Sequence, residues 1–176
     1  HAASGAQSPW TIELVRDVAV EAVFAAVDPP AAPPNDAFAA AETLPGDTGS
    51  LDATNRGAGK EVGEPDHAGR PGGASVWWRF EPAQDGTLTI DTTGSAIDTV
   101  LAVYTGTTVA GLSEVASDDD GASGVASAVS FPATAGVVYR VAVDGAGGST
   151  GGIRLSWRQI GRSTRLNSSH RLRSRM

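Results

Sequence analysis

Apolar and polar positions alternate with a period of two through most of the chain beyond residue 74. In SVWWRFE (75–81), Val76, Trp78 and Phe80 fall on one face and Trp77 and Arg79 on the other. In GTLTIDT (86–92), Leu88 and Ile90 face one way and Thr87, Thr89 and Asp91 the other. DTVLAVYTG (98–106) is apolar on both faces, the mark of a strand covered on each side. LSEVAS (112–117), VASAVSF (125–131), VVYRVAVD (137–144) and GGIRLSWRQI (151–160) continue the alternation, each bounded by Gly, Asp or Pro. Strands this close together, with no long amphipathic helix between them, predict an all-β antiparallel sandwich rather than a βαβ fold. The expected inward set is Val76, Trp78, Phe80, Leu88, Ile90, Leu101, Val103, Val129, Phe131, Tyr139, Val141, Val143, Ile153, Leu155 and Trp157.

Upstream the pattern changes. Residues 10–27 alternate around a break at Arg16 and Asp17, which suggests a separate N-terminal β-hairpin, with a helix as the competitor because Ala and Glu favour one. DPPAAPP (28–34) has four prolines in seven positions, a stiff linker and a domain boundary. Asn35 is then placed to cap one short helix running to Glu42. Residues 45–73 are rich in Gly, Asp, Asn, Glu and Pro and read as a long surface loop.

At the other end, residues 161–176 turn abruptly to Arg and Ser, without period or core residues. This segment reads as a disordered basic tail of adaptor-derived or read-through origin, and it is set outside the fold. The division is therefore 1–27, 28–34, 35–160 and 161–176. The chain opens at His1 with neither Met nor a signal peptide, which is the expectation for a fragment of something longer.

Charge and composition narrow the function. The 176 residues carry 13 Lys and Arg against 20 Asp and Glu, a formal charge of -7. Five of those arginines lie in the tail, so the body is more acidic still. An acidic body repels phosphate backbones, which sets nucleic acid aside, and no apolar run is long enough for membrane insertion. The chain has no cysteine, which excludes disulfides, thiolate metal sites and cysteine nucleophiles.

Asp118, Asp119 and Asp120 run together before Gly121. Clustered carboxylates repel unless water or a cation screens them, and calcium takes several oxygen ligands from flexible acidic loops. The spacing is not that of an EF-hand, and a solvated acidic loop is the alternative. Asp98 and Asp144, at strand ends, are expected to accept backbone N–H groups and shape turns, with a shared cation as the alternative. His67, beside Glu64 and Asp66, has neither a second histidine at metal-binding spacing nor a Gly-x-Ser-x-Gly elbow nearby, so no catalytic residue is assigned. Trp77 with Arg79 is the ligand-binding candidate. A flat exposed indole stacks on a sugar or peptide, unless the loop at 45–73 covers it.

PPNDAFAAAE (33–42), GEPDHAG, SVWWRFEP, GTLTIDTTGSAIDTVLAVYTG, VASDDDG and VVYRVAVDG, in this order, resemble the bacterial pre-peptidase C-terminal domain family over residues 35–159. Residues 4–25 resemble the closing strands of a divergent internalin-type B-repeat. The first resemblance implies a jelly-roll-like sandwich and a non-catalytic accessory or spacer role in a secreted bacterial exoprotein, extracellular or at the cell surface. Neighbouring domains of the same polypeptide would be its partners, and calcium is bound in some members. Asn35 and Asp36 stand where calcium-binding members carry an acidic stretch, although prolines replace the additional acids here. The alternative is a carbohydrate- or matrix-binding module that uses Trp77 and its neighbouring loops on polysaccharide or extracellular matrix.

Overall fold

The computed structural model describes residues 29–161. Nine strands form two sheets: β1 (Glu42–Thr43), β2 (Thr48–Thr54), β3 (Val76–Phe80), β4 (Gly86–Asp91), β5 (Thr99–Thr105), β6 (Ser113–Asp118), β7 (Ala128–Ala133), β8 (Tyr139–Gly145) and β9 (Gly152–Gly161). The five-stranded sheet runs β1-β3-β8-β5-β6 and the four-stranded sheet β2-β9-β4-β7. Every pairing is antiparallel except that of β1 with β3.

The facing sides of the sheets enclose one core, and every residue of the expected inward set belongs to it. Burial of this apolar surface is the main stabilising term of a sandwich. All seven expected strands form, with ends moved by at most three residues. Pro132 sits in β7, an edge strand, where its missing N–H costs no ladder bond.

β1 and β2 are additions to the sequence reading, since both fall in or beside the segment expected to be loop. β2 pairs with β9 along its whole length, from Thr48 opposite Arg158 to Thr54 opposite Gly152. Gly49 belongs to this pairing because the Trp157 indole lies against it, and a Cβ there would come within 2.4 Å of the ring.

The short helix expected from Asn35 is a single 3-10 turn, Phe38–Ala40, with Ala37 at its N-cap and no side-chain cap. Asn35 instead extends the edge of β3. Its carbonyl accepts the Trp77 N–H at 2.8 Å and its side-chain amide donates to the Trp77 carbonyl at 3.1 Å. The proline-rich segment lies against the body at Gly57 (φ 77°), where a Cβ would meet the Pro30 carbonyl at 2.4 Å. The expected N-terminal hairpin and all but Gly161 of the basic tail fall outside the described residues. Among the described residues no helix is long and apolar enough to cross a membrane.

Candidate functional site

The outer face of the five-stranded sheet is covered. Trp77, Ala102, Tyr104 and Ala142 project from it and pack with Phe38 of the 3-10 turn in a second apolar cluster. Trp77 is fully buried, its ring 5.4 Å from both the Phe38 and the His67 rings, edge to face. This corrects the expectation that Trp77 binds a ligand: a ring covered by a turn on one side and a loop on the other offers no face to a sugar. Arg79, two residues on, is exposed and donates from Nε to the Thr43 hydroxyl at 2.7 Å.

His67 brings the covering loop down onto the sheet. The imidazole is buried, with Nε2 2.9 Å from Glu64 Oε1 and Nδ1 2.7 Å from the Tyr104 hydroxyl. A carboxylate only accepts, so Nε2–H donates to Glu64, and in the neutral ring Nδ1 accepts from the Tyr104 hydroxyl. The other Glu64 oxygen accepts the Glu61 N–H at 2.8 Å. Burial alone would raise the Glu64 pKa. The hydrogen bonds from His67, Ser75 and the Glu61 N–H outweigh it and hold the carboxyl below its usual range. Burial pushes the Tyr104 hydroxyl well above its ordinary value, so it stays a donor. The arrangement is closed, since each polar atom of the histidine is matched within the protein and lies away from solvent.

The acidic loop is arranged differently. Asp118 Oδ2 accepts two backbone N–H groups, Gly121 and Ala128, each at 2.7 Å, so Asp118 shapes the turn. Asp119 and Asp120 instead meet Asp98, one residue before β5, with carboxylate oxygens of all three within 4.8 Å of one another. The loop is tied down beneath them by a buried hydroxyl network: Ser127 Oγ donates to the Asp119 carbonyl at 2.7 Å, and its N–H donates to Thr92 Oγ1 at 2.8 Å. Arg70 reaches Asp119 Oδ2 at 2.7 Å. Oδ1 of Asp98 and Oδ1 of Asp119 are shielded from solvent and have no hydrogen-bond partner. Burial, then the charges of Asp120 and Asp119, raise the Asp98 pKa.

Asp98 was expected to shape a turn, with a shared cation as the alternative; the sequence did not show that Asp119 and Asp120 are the carboxylates it meets. Asp144 does fill the expected turn role, accepting N–H groups from Gly73, Ala74 and Gly145 at 2.9, 3.0 and 2.7 Å. The second metal candidate is not part of the cluster. Asn35 is committed to the Trp77 backbone, and Asp36 Oδ1 accepts the Gly59 N–H at 2.7 Å.

No family model matches the chain, and no curated protein does. Among solved structures, it is similar to the crystal structure of the pre-peptidase C-terminal domain of a collagenase from Bacillus anthracis. The two are 14% identical with a TM-score of 0.46, over 67% of this chain and 94% of that one.

Proposed function

We propose that this chain is a non-catalytic accessory module of a larger secreted bacterial protein, which spaces or positions a neighbouring domain, and that calcium pins the loops at one end of its sandwich. The two-sheet fold and the ordered motifs resembling the pre-peptidase C-terminal family support the accessory role. The observation that carries the calcium reading is the meeting of Asp98, Asp119 and Asp120 with two buried, unpartnered oxygens. Hard divalent cations take oxygen ligands, and a bound ion would replace repulsion between the carboxylates with attraction.

Extracellular calcium modules bind at about 0.1–1 mM. At a hundredfold excess over Kd, binding to the folded state alone adds about 2.7 kcal/mol of stability. Thermal melts in EDTA and in 10 mM calcium test this. The midpoint rises with calcium, Asp119→Asn abolishes the rise, and Asp36→Asn leaves it intact. Identical midpoints for the unaltered chain in the two buffers would remove the metal from the account.

A further inference from the structure

One cationic side chain already rests on the aspartate cluster, and it comes from a different loop. Arg70 follows the His67 turn over the outer face of the five-stranded sheet, and its guanidinium reaches Asp119 Oδ2 at 2.7 Å. The nearest acids in sequence are engaged elsewhere, Glu64 with His67 and Asp66 with Lys60. The backbone holds Arg70 in this position from both sides. Its N–H donates to the His67 carbonyl at 2.8 Å across an antiparallel bridge, and beyond it the Asp144 carboxylate accepts the N–H groups of Gly73 and Ala74.

The pair uses one side of the carboxylate. Oδ1 of Asp119 has no partner and is shielded from solvent, as is Oδ1 of Asp98, and oxygens of Asp98, Asp119 and Asp120 lie within 4.8 Å of one another. An ion on the unpartnered oxygens would share Asp119 with a guanidinium on its other oxygen. Two cations on one carboxylate repel, and the energy scales with the charge of the ion. With the two about 6 Å apart in a water-like dielectric, one unit charge costs a divalent ion about tenfold in affinity and a trivalent ion about thirtyfold. The Arg70 side chain is 58% exposed, so it can be replaced without opening the core.

We infer that Arg70 is a specificity-determining residue of this cation site, a fixed positive charge that weakens the binding of each cation in proportion to its valence and so sets the site toward divalent rather than trivalent ions. That role rests on the calcium reading proposed above. A residue that only oriented Asp119 would act with the opposite sign, since its removal would loosen both kinds of ion.

Isothermal titration of the full chain with calcium chloride and, separately, with terbium chloride tests it, in a slightly acidic buffer of constant ionic strength. Arg70→Gln binds calcium about tenfold and terbium about thirtyfold more tightly than the unaltered chain. Arg70→Lys, which keeps the charge, restores the unaltered affinities, and Arg154→Gln, which removes an arginine paired with Asp52 on the other sheet, changes neither. Asp119→Asn weakens both ions, which locates them on the aspartates. If the unaltered chain binds calcium and Arg70→Gln binds it no more tightly, or gains equally for the two ions, the role of Arg70 is overturned and the calcium reading stands. If neither chain binds calcium, or Asp119→Asn leaves both affinities unchanged, the calcium reading of the aspartates falls and the role of Arg70 falls with it.

Discussion

The loops over the five-stranded sheet and the loop after β6 both gather acidic side chains against shielded structure, and they do so to opposite effect. His67, Glu64 and Tyr104 pair with one another, and the carboxyl is held in its charged form by hydrogen bonds it receives, although the Trp77 indole N–H beside them has no partner. Around Asp98, Asp119 and Asp120, Arg70 pairs with one Asp119 oxygen, but the carboxylates otherwise meet one another and two shielded oxygens have no donor. A buried polar group without a partner costs on the order of 1–3 kcal/mol, whereas a matched one adds modest stability. The difference teaches how to separate structural from ligand-binding polar clusters on a fold of this kind. The histidine, which looks the more chemical of the two in sequence, is a fastener; the aspartates are where the proposed calcium would bind.

The largest expected effect comes from removing the surface on which the fastener closes. Trp77 is fully buried between Phe38, His67 and Tyr104. Trp77→Ala should destabilise the domain by about 3–5 kcal/mol in urea denaturation, from lost burial together with the cavity left behind. The acidic loop lies outside that cluster, so the calcium-dependent rise in midpoint should survive in this variant if it still folds. A loss of the calcium response would show that the two regions are one cooperative unit, and the comparison would fail.

Glu64→Gln isolates the hydrogen bonds from the packing. Glu64 accepts on both oxygens, from His67 and from the Glu61 N–H. An amide of the same shape has only one oxygen, so one of those donors must face an NH2 group. The expected loss is about 1–3 kcal/mol. The pH dependence has a definite sign. The folded pKa of Glu64 lies below the 4.5 of the unconstrained group, so the unfolded chain takes up the proton first as pH falls. The stabilisation from the charged carboxylate is therefore complete above about pH 4.5 and disappears as pH drops through the folded value. Urea midpoints measured from pH 6 to pH 3 should fall steeply for the unaltered chain and less steeply for the variant; parallel curves would contradict the assignment.

The strands with bulky residues on one face were legible in sequence, and the reason is physical. Val76, Trp78 and Phe80, or Ile153, Leu155 and Trp157, repeat every second residue, and each apolar side chain must turn inward. β2 escaped notice because only Leu51 and Ala53 of TGSLDAT face the core, and its place depends on register with β9 about a hundred residues away. The strand at 99–105 did carry a hint of the covered outer face. A strand apolar on both sides needs a cover, and Tyr104 meets His67 from the loop that supplies it. The acidic site was half legible. The run of three aspartates marked the loop, but the backbone of Gly121 and Ala128 takes Asp118, and the chain's return brings in Asp98 instead. Adjacency in sequence could not distinguish the carboxylate that shapes the turn from those that meet Asp98.

Asp98→Asn is expected to have the smallest effect and to give the sharpest comparison, because its sign reverses with the buffer. The Asp98 pKa is raised by burial and by the charges of Asp120 and Asp119, so at neutral pH the ionised group opposes folding. An amide of nearly the same size removes that charge and brings a donor to neighbouring oxygens. In EDTA the variant should melt higher than the unaltered chain, by less than about 1 kcal/mol of added stability, the scale of partly solvated charge interactions. In calcium the order should invert, because the variant has lost a charged ligand and the unaltered chain gains from binding. The pH dependence in EDTA gives the same sign independently. With the folded pKa above the unfolded 3.8, the destabilisation grows as pH rises through the window between the two values, and Asp98→Asn removes that trend. Two melting curves that keep the same order in both buffers would mean that the three aspartates tolerate one another without a cation, and the acidic loop would then be as self-sufficient as the histidine cluster.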